Sequence, residues 1–338
     1  WILQRRVEPA LALVNRALRN SQGIERNPAR AQLYWLQGDC FGTRGQYAQA
    51  VEAIERASDC NHESQQTWLD GHLLEVLAYL AIEHGHLAQA DQLLNEARLL
   101  SAVQLLATEK FNLEVIAGML AFERCSFGEA DERFDEALRT SQTVMPAMTL
   151  TVRLWQEFRL IESGRARDVT ILSELPENEL AQADVLTITC VHARAYRVAL
   201  QAEQGCWAAV RLSIENFEDY VRPTGNAVWA SVFAEGAVVA ALCIGNRMLA
   251  QHLLDLAQRL QAGIGVVPTP RQQASWARTQ ARLNDAPDAI ASAEGAALNP
   301  LLAQLSHDLP RWCGLAEDTA ISASVPGKHE MQDSPIAA

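Results

Sequence analysis

The sequence predicts an all-α protein, a right-handed superhelix of about eight stacked helix hairpins, and three observations carry that prediction. Tyr47, Leu87, Phe127, Arg167 and Trp207 follow one another at intervals of 40 residues, each opening the same kind of segment. A turn residue recurs two places before the anchor: Gly45, Gly85, Cys125 and Gly205, then Gly245 ahead of Arg247. A small residue follows three places after it, at Ala50, Ala90, Ala130, Val210 and Ala250. Self-similarity at one fixed period marks a repeat architecture, in which units bury their apolar faces against their neighbours and the core grows in one dimension.

The units can be justified in order. The first is truncated: Val7-Glu8-Pro9-Ala10 corresponds to the second half of a unit, with Ala10, Val14 and Ala17 as its apolar face. In the second, Ala31 to Arg44 has helical spacing, Gly45 supplies the positive φ that ends the helix, and Tyr47 to Ala57 opens a second one. Its face is Ala50, Ile54 and Ala57, spaced i, i+4, i+7 and therefore on one stripe. The stripe recurs as Ala90, Leu94, Ala97, as Ala130, Phe134, Ala137, as Val210, Ile214, Phe217 and as Ala250, Leu254, Ala257. The fifth unit departs from the pattern, with Gly164 one residue early and Pro176 set to stop its second helix. The eighth is degenerate, with Asp285 and Pro287 at its turn. Connections such as Asp59 to Gln66, Val221 to Asn226 and Ala262 to Pro270 are read as linkers that lengthen the period. Residues 1–315 form the array, and 316–338, small, polar and aperiodic, read as a flexible tail or interdomain linker.

Composition narrows the function. A net charge of −13 and a pI near 5.1 give no footprint for phosphate backbones or anionic lipid. The longest apolar stretch, Ala237 to Ile244, is far short of the roughly 20 residues of a spanning helix, so no membrane contact is expected. Seven cysteines without a CxxC pair read as compact apolar side chains in a reducing cytoplasm.

The Gly-x-aromatic-x-x-Ala joint, followed by an aliphatic residue and an alanine on the same face, resembles the tetratricopeptide superfamily over nearly the whole chain. About eight units of 40 residues are similar to the superhelical sensor region of MalT-type large ATP-binding LuxR-family transcriptional regulators. That resemblance implies a P-loop ATPase module before the superhelix, an inducer or inhibitory protein received by it, and a DNA-binding helix-turn-helix after it. The sequence holds no G-x-x-x-x-G-K-[ST] and no basic helix-turn-helix after Pro310. ATP is thus expected only on a missing N-terminal module and DNA only through a missing C-terminal one, with no cofactor in this segment. Trp1 opens without Met, and the chain reads as part of something longer. The expected function is an effector-sensing superhelix of a cytoplasmic transcriptional activator, with a small-molecule inducer or regulatory protein as partner. The competing expectation is a scaffold that grips a peptide or helix of a partner and has no link to transcription.

Candidate groove residues follow from repeat offsets. Glu83, Glu123, Glu162 and Glu203 end four first helices, against the macrodipole, and each needs a compensating partner. They read either as an acidic ladder on a concave face or as a rim paired with arginines and lysines. Trp35, Asp39 and Tyr79 fall at other inner offsets, either as core or as an aromatic platform beside carboxylates. Trp207, Trp229 and Trp276 read as packing residues. His84 and His86, two apart, diverge on a helix and lack a third ligand, so no metal site is expected. His329-Glu330 and Gly263-Ile264-Gly265 lack the context of a zinc or phosphate site. With no local nucleophile, metal or cofactor signature, no enzymatic activity is expected.

Overall fold

The computed structural model describes residues 7–21, 28–61, 67–101, 107–176, 180, 187–285 and 292–314, all-helical with no strand among them. Helix α1 (Val7–Asn20) precedes a row of hairpins. These are α2 (Pro28–Thr43) with α3 (Tyr47–Asn61), α4 (Thr67–Glu83) with α5 (Leu87–Ser101), and α6 (Ala107–Glu123) with α7 (Phe127–Val144). Next come α8 (Thr149–Glu162) with the short α9 (Ile171–Glu174), α10 (Thr187–Glu203) with α11 (Trp207–Val221), and α12 (Ala227–Cys243) with α13 (Arg247–Gly263). Helices α14 (Pro270–Asp285), α15 (Ala293–Ala296) and α16 (Asn299–Trp312) follow. Consecutive helices pack on each other, and so do first helices of neighbouring units: α4 on α6, α8 on α10, α10 on α12. The turn of the eighth unit and the segment 316–338 lie outside the described residues.

The recurring positions are the joints of this row. Gly45, Gly85, Gly164, Gly205 and Gly245 have φ between 68° and 79°, and Cys125 stands in the same left-handed conformation at 59°. Every member of the five stripes from Ala50 to Ala257 is at most 2 % exposed. In α1, Ala17 is only half-buried. The stripes grip glycines on the first helices: a Cβ at Gly38 would lie 2.6 Å from Ile54, and one at Gly118 would lie 2.5 Å from Phe134. Helix α12 is apolar on almost all sides and nearly wholly buried, as a helix enclosed by neighbours must be. Its Gly236 lets α10 approach, since a Cβ there would stand 2.3 Å from the Ala195 carbonyl oxygen.

The fifth unit shows what Pro176 does. After Gly164 the chain makes a 3-10 turn at Ala166–Asp168 and then only the four-residue α9 before the proline. Buried Glu157 on α8 accepts the N–H groups of Thr170, Ile171 and Leu172 at 2.8, 2.6 and 2.6 Å. One carboxylate thus satisfies donors that a short helix start leaves without carbonyl partners.

The end of the row returns to its beginning. Asn226 caps α12 by accepting from the N–H of Trp229, while its Nδ2 donates to the carbonyls of Gly42 and Thr43 at the end of α2, 184 and 183 residues away. One side chain therefore closes the start of one helix and the end of another. The stretch after α13, read from sequence as a plain linker, is a second contact: the Val267 N–H donates to the His84 carbonyl at 3.1 Å. Gly85 is doubly constrained there, by its φ of 76° and by the Val267 oxygen, 1.7 Å from where a Cβ would be. Helix α14 then runs against α6, α12 and α13.

Candidate functional site

Where the two ends meet, a cavity of about 290 Å³ lies between α2, α4, α6 and α12. Four of the residues singled out by repeat offset line it: Trp35 and Asp39 from α2, Tyr79 and Glu83 from α4. Other polar members of the wall are His72 and Glu75 from α4, Asn112 from α6 and Trp229 from α12. Tyr79 O–H donates to Glu83 at 2.8 Å, and Trp229 Nε1–H donates to the same oxygen at 3.4 Å. Glu83 thus joins α4 to the returning α12 across the cavity wall. Asn112 donates to Glu75 Oε2 at 3.1 Å, His72 Nδ1 stands 3.2 Å from that oxygen, and Trp35 meets His72 edge-on with ring centroids 5.0 Å apart.

The wall is rich in carboxyl groups without matching cations, and it contains no lysine or arginine. Burial pushes Glu83 up to about 7, against the pull of its two hydrogen bonds, and the charge of Asp39 adds to the rise. Burial also raises Asp39, with His72 opposing, and that carboxylate has no hydrogen-bond partner among the described residues. Glu75, 2 % exposed, uses only one oxygen: its Oε1 and the Nε1 of Trp35 are buried without a partner. Unpaired buried donors and acceptors each cost about 1–3 kcal/mol, and here one of each belongs to the same wall.

The other three glutamates stand elsewhere. Glu123 accepts from Thr269 Oγ1 at 2.5 Å and from Arg271 Nε at 2.9 Å. Glu162 is held by Tyr196 O–H at 2.6 Å, by Arg271 Nη1 at 3.4 Å and by Arg278. Glu203 pairs with Arg282 at 2.9 Å. The three arginines lie on α14, at spacings of seven and four that keep them on one face. Arg271 is 2 % exposed and stands 5.4 Å from the ring centre of Phe122. Burial works against its charge, but Glu123 and its anionic neighbours outweigh that and hold it protonated. On the next turns Trp276 donates to Glu235, whose carboxyl burial lifts to about 7. The row of glutamates is therefore neutralised from within, by the chain's own arginine helix.

The sequence left Trp229 as a packing residue, whereas it reaches the cavity. Glu75, His72 and Asn112 escaped notice, although Glu75 stands 40 residues after Trp35 and Asn112 stands 40 after His72. Extending the offset of Trp35 by one unit would have found the carboxylate. His84 is buried outside the cavity lining and stacks on Tyr47 at 4.2 Å, and burial lowers its pKa to about 4. Among the described residues no helix is long and apolar enough to cross a membrane. No protein-family model and no curated protein sequence matches the chain.

Proposed function

We propose that the chain is the effector-sensing part of a larger cytoplasmic regulator, a right-handed superhelix of tetratricopeptide-like hairpins of the kind found in MalT-type transcriptional activators. The observation that carries this reading is the cavity at the meeting of the two ends of the row. Its wall draws on helices separated by well over 100 residues, and two of its buried polar atoms lack a partner. A molecule seated there touches α2, α4 and α6 on one side and α12 on the other, so its binding energy depends on whether the ends are closed. Differential affinity for the closed and parted forms is what lets a ligand shift an equilibrium. An ATPase and a DNA-binding module attached outside this sequence would read that shift.

A second reading is supported by α14. The row already holds a helix bearing Arg271, Arg278 and Arg282, and an arginine-bearing helix of a partner protein could take the same glutamates by displacing it. The two readings separate by measurement. A thermal-shift screen of metabolites, followed by hydrogen exchange on the hit, is expected to show protection at residues 226–229 and 266–271. A ligand at 100 times its Kd adds about 2.7 kcal/mol. Protection produced only by a partner protein, or a parent reading frame without a P-loop and a helix-turn-helix, would overturn the sensor reading.

A further inference from the structure

We propose that the cavity between α2, α4, α6 and α12 binds a small organic cation, an ammonium group on an apolar body, with its charge held by Asp39 and Glu75. This rests on the sensor reading and names the chemical class of its effector.

The wall decides the sign of the ligand. Asp39, Glu75 and Glu83 contribute three carboxyl groups, and the wall has no lysine or arginine to answer them. Glu83 is engaged by Tyr79 and Trp229, which leaves Asp39, partly exposed and without a hydrogen-bond partner among the described residues, as the open acceptor, with the unpaired Oε1 of Glu75 buried in the same wall. An anion would meet these oxygens as like charges in a medium of low dielectric. A neutral polyol would find partners in His72 and Asn112, but it would leave the three carboxyl groups of the wall without a counter-charge. An ammonium group carries only donors or a bare positive charge, and both suit buried carboxylates. The remaining wall fits its carbon body: Trp35, Tyr79, Phe111 and Trp229 are aromatic, and cations are attracted to aromatic rings within about 6 Å of the centroid. The volume, about 290 Å³, is at the lower edge of the roughly 300–1,000 Å³ usual for ligand pockets, so the molecule is small. Burial raises Asp39, and a bound cation is the counter-charge that would favour its ionised form.

The test is calorimetric titration of the whole chain with a matched panel. The cations are 2-phenylethylammonium, 1,5-diaminopentane and tetramethylammonium; the neutral probes are 2-phenylethanol and maltose; the anion is phenylacetate. Saturable one-to-one binding is expected from at least one cation, with the neutral and anionic probes at least tenfold weaker. Glu75→Gln and Asp39→Asn, both shape-preserving, are each expected to weaken that cation at least tenfold while the melting temperature stays within a few degrees. If 2-phenylethanol, maltose or phenylacetate binds as well as any cation and Trp35→Ala abolishes that binding, the cation assignment falls and the sensor reading stands. If no probe of any class binds at millimolar concentration, both fall. Binding of a cation that survives both carboxylate substitutions places it elsewhere and overturns the assignment of this cavity.

Discussion

Glu83 shows how much one side chain can hold in place. It ends α4, accepts from a residue of its own helix and from α12, and is burial-raised to about 7 from an ordinary value of 4.5. The folded chain therefore holds this proton more tightly than the unfolded chain does, so the contribution of Glu83 to stability is fully present below about pH 4.5. It declines as pH rises through the window from 4.5 to 7 and is lost above it. Glu235 behaves in the same sense. Glu83→Gln mimics the protonated acid and keeps an acceptor for Tyr79 and Trp229. It is expected to raise the melting temperature at pH 8 by several degrees, at about 2–4 °C per kcal/mol for a chain of this size class. The gain should shrink toward zero at pH 5. Equal differences from wild type at the two pH values would mean that Glu83 is already ionised in the fold. At this scale the sequence was informative where the repeat offset carries chemistry. It picks out Trp35, Asp39, Tyr79 and Glu83, which line the cavity, while Glu75 shares the Trp35 offset one unit on but sits in the apolar run Leu73-Leu74-Glu75-Val76, where a carboxylate does not match the aromatic it replaces.

Among the helices, α14 departs most from its expected part. By period it is the first helix of a degenerate unit, yet its arginines serve glutamates of three earlier ones. The contributions along it are unequal. Arg271 is 3 % exposed in its side chain and shared by two carboxylates, so Arg271→Ala strands buried charge and is expected to cost about 3–5 kcal/mol. The pair of Arg282 and Glu203 is 48 % and 44 % exposed, and Arg282→Ala should cost no more than about 1 kcal/mol. Denaturant unfolding of both variants checks the order, and an Arg282→Ala cost equal to that of Arg271→Ala would mean that burial does not set it. The hairpins themselves were readable because their determinants are local: a left-handed turn residue, an i, i+4, i+7 stripe, and a proline that ends α9. The docking of α14 was not, because it depends on how far the row turns before residue 270, a sum of small rotations that no single unit records.

For the molecule as a whole, closure changes how stability is shared. An open row of repeats unfolds nearly as a sum of units and nearest-neighbour contacts. Here Asn226 and Val267 tie the ends of the α12–α13 hairpin to the first ones, so early units gain support from residues 184 and 183 places on. Unfolding in guanidinium is therefore expected to be a single transition, with fluorescence and circular dichroism coinciding. Asn226→Ala removes a helix cap worth about 1 kcal/mol and both bonds to α2. It is expected to separate the two signals, and coincident signals in that variant would show that the ends are not energetically coupled. The same seam limits how such a chain can change in length. Open arrays gain or lose a repeat by duplication with little penalty, but one hairpin more or fewer between α2 and α12 would carry Asn226 past the carbonyls of Gly42 and Thr43. The number of hairpins between α2 and α12 is thus fixed by geometry in this chain, as the staves of a cask are by its circumference.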